Sequence, residues 1–151
     1  MINTGVWEPI ETGIVRAVLE AGDRDRIVVD FGCHLGWFTL MAARLGYEVE
    51  CFDIDRENLE LLRLNLERPG LDDRAITHHL WIGPKTSERD LWLPEGEIEL
   101  VKADIEGNEP HLPRLLRGKL QRGQIRHLFL ELSPVFNDGY PALVRELLDL
   151  A

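Results

Sequence analysis

Cysteine is scarce in this chain: Cys33 and Cys51 are the only two in 151 residues. Two thiols are too few for a disulfide scaffold, and a reducing cytoplasm is their simplest setting. No apolar run approaches the ~20 residues that a membrane-spanning helix needs. No basic start precedes an apolar stretch, so the sequence shows no signal peptide. Positive charge is also in short supply, with 17 basic against 27 acidic side chains and a formal net charge of −10. Such a surface repels nucleic-acid phosphates unless a local basic patch overrides it. The remaining composition, 44% hydrophobic and 29% charged, is that of a globular protein. It excludes a disordered chain and suits one domain with one real core.

One further absence narrows the ligand. The stretch from Ile27 to Gly36, IVVDFGCHLG, reads as a buried strand, a glycine turn and the start of a helix that closes on Gly46. The turn lies at the carboxyl end of a strand, where α/β sheets bind ligands. Gly32 and Gly36 are expected to let the backbone come close to a ligand. A dinucleotide fingerprint requires a second glycine two residues after the first, and here that position is His34. Asp30 at the strand end would repel a pyrophosphate and suits a cation instead. The next strand, from Tyr47 to Phe52, ends in Asp53, about twenty residues beyond the loop and placed to hold a ribose diol. S-adenosylmethionine carries a sulfonium, an ammonium, a carboxylate and a ribose but no phosphate, so it fits this pattern better than NAD does.

The rest of the chain alternates helices and strands. Pro9 opens a helix ending near Gly22, with Ile10, Ile14, Val15, Val18 and Leu19 at helical spacing. Trp7 before it reads as packing, with a cover over the glycine loop as the alternative. Asp55 is an N-cap for a helix with Leu59, Leu62 and Leu66 in a stripe, stopped by Pro69-Gly70. A third strand is expected from about Ala75 to Trp81. His78 and His79 adjoin on it and face opposite sides, so they are not expected to share a metal, and no metal is assigned. Residues 83–96 read as a long polar loop with a short strand over Leu91-Trp92-Leu93. A fourth strand from Ile98 runs to Asp104, followed by Glu106, Gly107 and Glu109. Carboxylates crowded at one strand end raise each other's pKa, which is one way to make a general base. A helix from Pro110 to about Gln121 follows. Arg114, Arg117, Lys119, Arg122 and Arg126 around its end suit a helix C-terminus. A last strand from about His127 to Leu132 carries Glu131 near its carboxyl end, and a helix from Pro141 finishes the chain. The order predicts an α/β, Rossmann-like doubly wound, mostly parallel sheet of about five strands.

Three blocks in this order, VVDFGCHLGWFTLMAARLG, ECFDIDRENLELLRLNL and ELVKADIEGNE, resemble the FkbM-type methyltransferases, a class I family that uses S-adenosylmethionine. The more specific block is the last, with Lys102, Asp104, Glu106, Gly107 and Glu109. The resemblance implies O-methylation of a small-molecule, sugar or lipid hydroxyl. It implies that Asp30, Gly32 and Gly36 line the methionine end, that Asp53 takes the ribose hydroxyls and that Asp104 and Glu106 lie beside the methyl group. Glu131 matches an acid on the acceptor side. The chain departs from the family at Cys33-His34, where His34 could still hydrogen-bond the methionine part. It is also expected to lack two final strands of the usual fold, leaving the last strand as an open edge for a second copy or a partner subunit. The alternative is a nucleoside-binding module that is inactive alone or is completed by such a partner.

Overall fold

The computed structural model describes residues 7–132, 135 and 139–150. Five strands form one parallel sheet: β1 Ile27–Phe31, β2 Val49–Asp53, β3 Ala75–His79, β4 Ile98–Ala103 and β5 Ile125–Leu130. Their order across the sheet is β3-β2-β1-β4-β5. The chain winds outward from β1 to β3 and then returns to lay β4 on the other side of β1. The reversal opens a crevice at the carboxyl ends of β1 and β4, the place where such sheets bind ligands.

Alternation along the strands splits the interior into two cores. Val28, Val49, Cys51 and Leu100 face one side, against Val15 and Leu19 of α1 (Pro9–Ala21), Phe38 and Ala42 of α2 (Trp37–Arg44), and Leu59, Leu62 and Leu66 of α3 (Arg56–Glu67). Val29, Phe31, Phe52, Val101 and Ala103 face the other, against Leu112 and Leu115 of α4 (Leu112–Leu115), Leu116, Ile82 and Leu91. Each fully buried leucine here contributes roughly 1.5–3 kcal/mol. Two short helices, α5 (Arg117–Gln121) and α6 (Tyr140–Leu150), complete the second layer. No helix among the described residues is long and apolar enough to cross a membrane.

Three expectations change. The helix from Pro110 to Gln121 is broken into a 3-10 turn, α4 and α5, because Leu116 leaves helical geometry at φ −107°, ψ 6°. Residues 91–93 form no strand. Instead Ser87 and Asp90 cap each other across a 3-10 turn over Glu88–Leu91, which leaves Trp92 exposed and outside the cleft described below. The cations after Pro110 do more than decorate a helix end. Arg114 donates to the carbonyls of Thr86 and Gly83, and Lys119 to those of Pro94 and Gly96, so both pin the 83–96 loop. Carbonyls of an irregular loop need such donors once they leave water.

Candidate active site

A cleft of about 1150 Å³ opens over the carboxyl ends of the strands. Its walls include Gly32, Cys33 and His34 after β1, Asp53 at the end of β2, Leu80–Ile82 after β3, Lys102, Asp104 and Glu106 at and after β4, and Glu131 after β5. The period of two explains why these polar groups converge. Asp30, Asp53 and Lys102 share the strand face of Val28, Cys51 and Leu100, towards the carboxyl end of the sheet.

The loop after β1 is built by the protein's own contacts. Gly32 and Cys33 both donate their N–H to the Phe52 carbonyl, at 2.8 and 3.1 Å. Gly32 has φ +77°, and a Cβ there would lie 1.8 Å from the Asp104 carbonyl oxygen. At Gly36, with φ +91°, a Cβ would lie 2.1 Å from Leu62 Cδ1. Both glycines are therefore required by neighbouring chain, and Gly32 also lines the cleft. Gly36 is not among the cleft walls.

Asp53 is the hub of the loop. Its Oδ2 accepts from the His34 N–H at 2.8 Å, and its Oδ1 accepts from Asp55 N–H at 2.8 Å and Asn58 Nδ2 at 3.3 Å. Three donors leave one carboxylate lone-pair site, on Oδ2, for an outside hydroxyl. His34 therefore contributes its backbone here, in a left-handed conformation at φ +48°.

Asp30 stands beneath the loop, apart from the cleft walls expected of it. It is 1% exposed, its Oδ2 accepts from Thr39 Oγ1 at 2.7 Å, and its Oδ1 has no hydrogen-bond partner among the described residues. Burial raises its pKa, opposed by the Lys102 ammonium and the Thr39 hydroxyl.

The three carboxylates after β4 do not form one cluster. Glu109 turns inward: its Oε1 accepts from Ile105 N–H, and its Oε2 accepts from Gly107 N–H and the Tyr140 hydroxyl, all at 3.0 Å. It braces the turn and ties it to α6. Asp104 and Glu106 are left on the cleft wall, Glu106 exposed and with φ +48°. Asp104 instead gathers with acids from elsewhere, its oxygen lying within 4.8 Å of oxygens from Glu8 and Glu131. Glu131 has its pKa raised by partial burial first and then by Asp104 and Glu8.

Glu8, Trp37 and Trp81 were not legible in the sequence as cleft residues, whereas Trp7 was open to a place over the loop. Trp7, Trp37 and Trp81 all line the cleft and stay substantially exposed. Trp37 Nε1 donates to Thr12 Oγ1, which donates to the Trp7 carbonyl, so α1 is strapped to α2 at the cleft edge. Gly83 lies directly under the Trp81 ring, where any Cβ would approach it to 2.8 Å. His78 and His79 face opposite sides, as expected: His78 stacks on Phe52 and bonds Glu50, and His79 bonds the Ile54 carbonyl.

Proteins of known structure share this fold. An rRNA methylase from Streptococcus thermophilus superposes with a TM-score of 0.67 at 16% identity, covering 97% of this chain and 82% of that one. An S-adenosylmethionine-dependent O-methyltransferase from Thermotoga maritima gives 0.61 at 17% identity, covering 99% of this chain and 51% of that one. The fold is that of the class I methyltransferases. The cofactor that goes with this fold is S-adenosylmethionine, as the sequence led one to expect. In sequence the chain is similar to the ribosomal protein L11 methyltransferase of Shewanella piezotolerans, 35% identical over 83 residues. That match takes in 54% of this chain and 24% of the relative, so the chain spans about a quarter of the relative's length. No family model matches the chain.

Proposed function

We propose that this protein binds S-adenosylmethionine in the cleft and transfers its methyl group to a hydroxyl of a small-molecule, sugar or lipid acceptor, as the FkbM-type resemblance implies. The observation that carries the reading is the convergence of Asp53, Lys102, Asp104 and Glu131 on one cleft at the β1–β4 reversal. The cofactor fits the residues present. Asp53 keeps one acceptor site for a ribose hydroxyl, and five carboxylates on the cleft wall complement the sulfonium and ammonium. The same acids, with a net charge of −10, disfavour a nucleic-acid acceptor.

When bound, S-adenosylmethionine supplies an electrophilic methyl carbon, whose transfer leaves S-adenosylhomocysteine. The protein's part is to orient and to move a proton. Asp53 and the loop after β1 seat the nucleoside, and Trp7 and Trp81 flank the opening. Asp104 accepts the proton of the acceptor hydroxyl, with Glu106 as the neighbouring candidate, and Glu131 holds the acceptor from the β5 side.

Titration calorimetry with S-adenosylmethionine, NAD as the control, tests the cofactor. Asp53→Ala is expected to weaken S-adenosylmethionine by roughly 1.5–3 kcal/mol, the value of hydrogen bonds to a charged group. An unchanged dissociation constant sinks the ribose assignment. Mass spectrometry of the purified protein for retained S-adenosylhomocysteine is an independent check.

The assembly belongs to the same reading. Among the described residues β5 pairs only with β4, so it is a sheet edge, and sheet edges invite pairing. A homodimer or a partner subunit is expected to cover it, and light scattering that shows a clean monomer at high concentration counts against this.

A further inference from the structure

Lys102 is the one lysine or arginine among the described cleft walls, which also carry Glu8, Asp53, Asp104, Glu106 and Glu131. It is only 3% exposed. Its ammonium lies 3.6 Å from Asp104 Oδ2 and 4.8 Å from the centre of the Phe38 ring. Across the ladder from β4 to β1 it is the register partner of Asp30. A cation so placed loses most of its hydration and persists only where negative charge surrounds it. Here the negative charge comes from three strand ends: Asp30 in β1, Asp104 after β4 and Glu131 after β5.

Neutralising Asp30 alone would account for a lysine facing β1. It would not account for the ammonium's reach to Asp104, two residues further along the same strand face and on the cleft wall. We propose that Lys102 is a positioning residue of the methyl-transfer site: its buried ammonium fixes the Asp104 carboxylate at the cleft wall, beside Glu131. The proposal rests on the methyl-transfer reading, because it supplies the ready base which that reading needs. Without the cation, Glu131 would lie beside Asp104 and Glu8 with less positive charge to offset them, and a like charge this close favours the protonated form. The Lys102 ammonium acts in that direction on both Asp30 and Glu131, lowering the pKa that burial raises.

The test needs no acceptor. Lys102→Met keeps much of the stem and removes the charge. Carbon-detected NMR titration of the Glu131 and Asp104 carboxyls is expected to show at least one midpoint raised by about one pH unit or more. Lys102→Arg, which stays charged, is expected to restore both midpoints towards wild type. If Lys102 only neutralised Asp30, both midpoints would stay where they are in a folded Lys102→Met protein, and the proposal is overturned. Should that variant not fold, Asp30→Asn/Lys102→Met removes both buried charges and is compared with Asp30→Asn alone, with the same two outcomes. Wild-type calorimetry with S-adenosylmethionine is read separately. Failure to bind defeats the cofactor reading, whereas unmoved carboxyl midpoints defeat the role of Lys102.

Discussion

Asp104→Asn is expected to lower turnover by about 10²–10⁴ while leaving S-adenosylmethionine affinity within a few fold. Asparagine keeps the shape of the side chain and cannot take a proton. Asp104 is the better placed of the two candidates after β4. Its side chain is one-third exposed on the cleft wall, it pairs with the Lys102 ammonium, and its backbone carbonyl abuts Gly32 of the cofactor loop. Glu106 is exposed, further along a turn, and has no hydrogen-bond partner among the described residues, so Glu106→Gln is expected to do less. Three measurements on the pair separate the roles. Lost turnover with intact affinity marks a base. Lost affinity with surviving turnover at saturating cofactor marks a group that holds the cofactor's ammonium. A lower melting temperature alone marks a brace for the turn. Full activity in both variants defeats the base assignment.

Gly32→Ala is expected to cost about 3 kcal/mol or more of stability, and to weaken cofactor binding with it. Two effects add. An alanine at φ +77° pays roughly 1–2 kcal/mol for the left-handed conformation. Its methyl would also have to displace the Asp104 backbone, since the ideal position is 1.8 Å from that carbonyl oxygen. A backbone neighbour cannot swing aside as a lysine tip can. The loop and the β4 turn must therefore separate, moving Asp104 away from the cofactor side. Denaturant unfolding and calorimetry read the two losses, and wild-type values for both would show that the close approach is not needed. Gly36→Ala meets the end of a leucine side chain instead of backbone, so it is expected to cost less.

Much of the framework was legible because local chemistry and global fold agree. Apolar runs at β1 and β4, the Asp55 cap and the Leu59-Leu62-Leu66 stripe each point to the element that forms. The helix after Pro110 was misread where tertiary packing overrode helical periodicity. The roles of single residues were less legible still. Asp30 and Gly36 sit in the glycine-turn motif, yet neither is among the cleft walls: Asp30 accepts from Thr39 and Gly36 packs against Leu62. Glu109 belongs to the acidic block, yet it spends both oxygens on its own turn and on Tyr140. Glu8 gave no signal at all, because it reaches Asp104 and Glu131 from nearly a hundred or more positions away in sequence.

What the sequence determined by itself was the alternation of strands and helices, the parallel sheet they build, and the acids that end the strands. Each of those follows from a period or a cap acting over a few residues. Which acids meet was decided only by the tertiary structure. The strand order β3-β2-β1-β4-β5 sets β4 beside β1 and brings Lys102 level with Asp30. The same order carries Glu131 to Asp104 and leaves Glu109 buried in its own turn. Electrostatic interaction depends on distance and desolvation, and neither is a property of spacing along the chain.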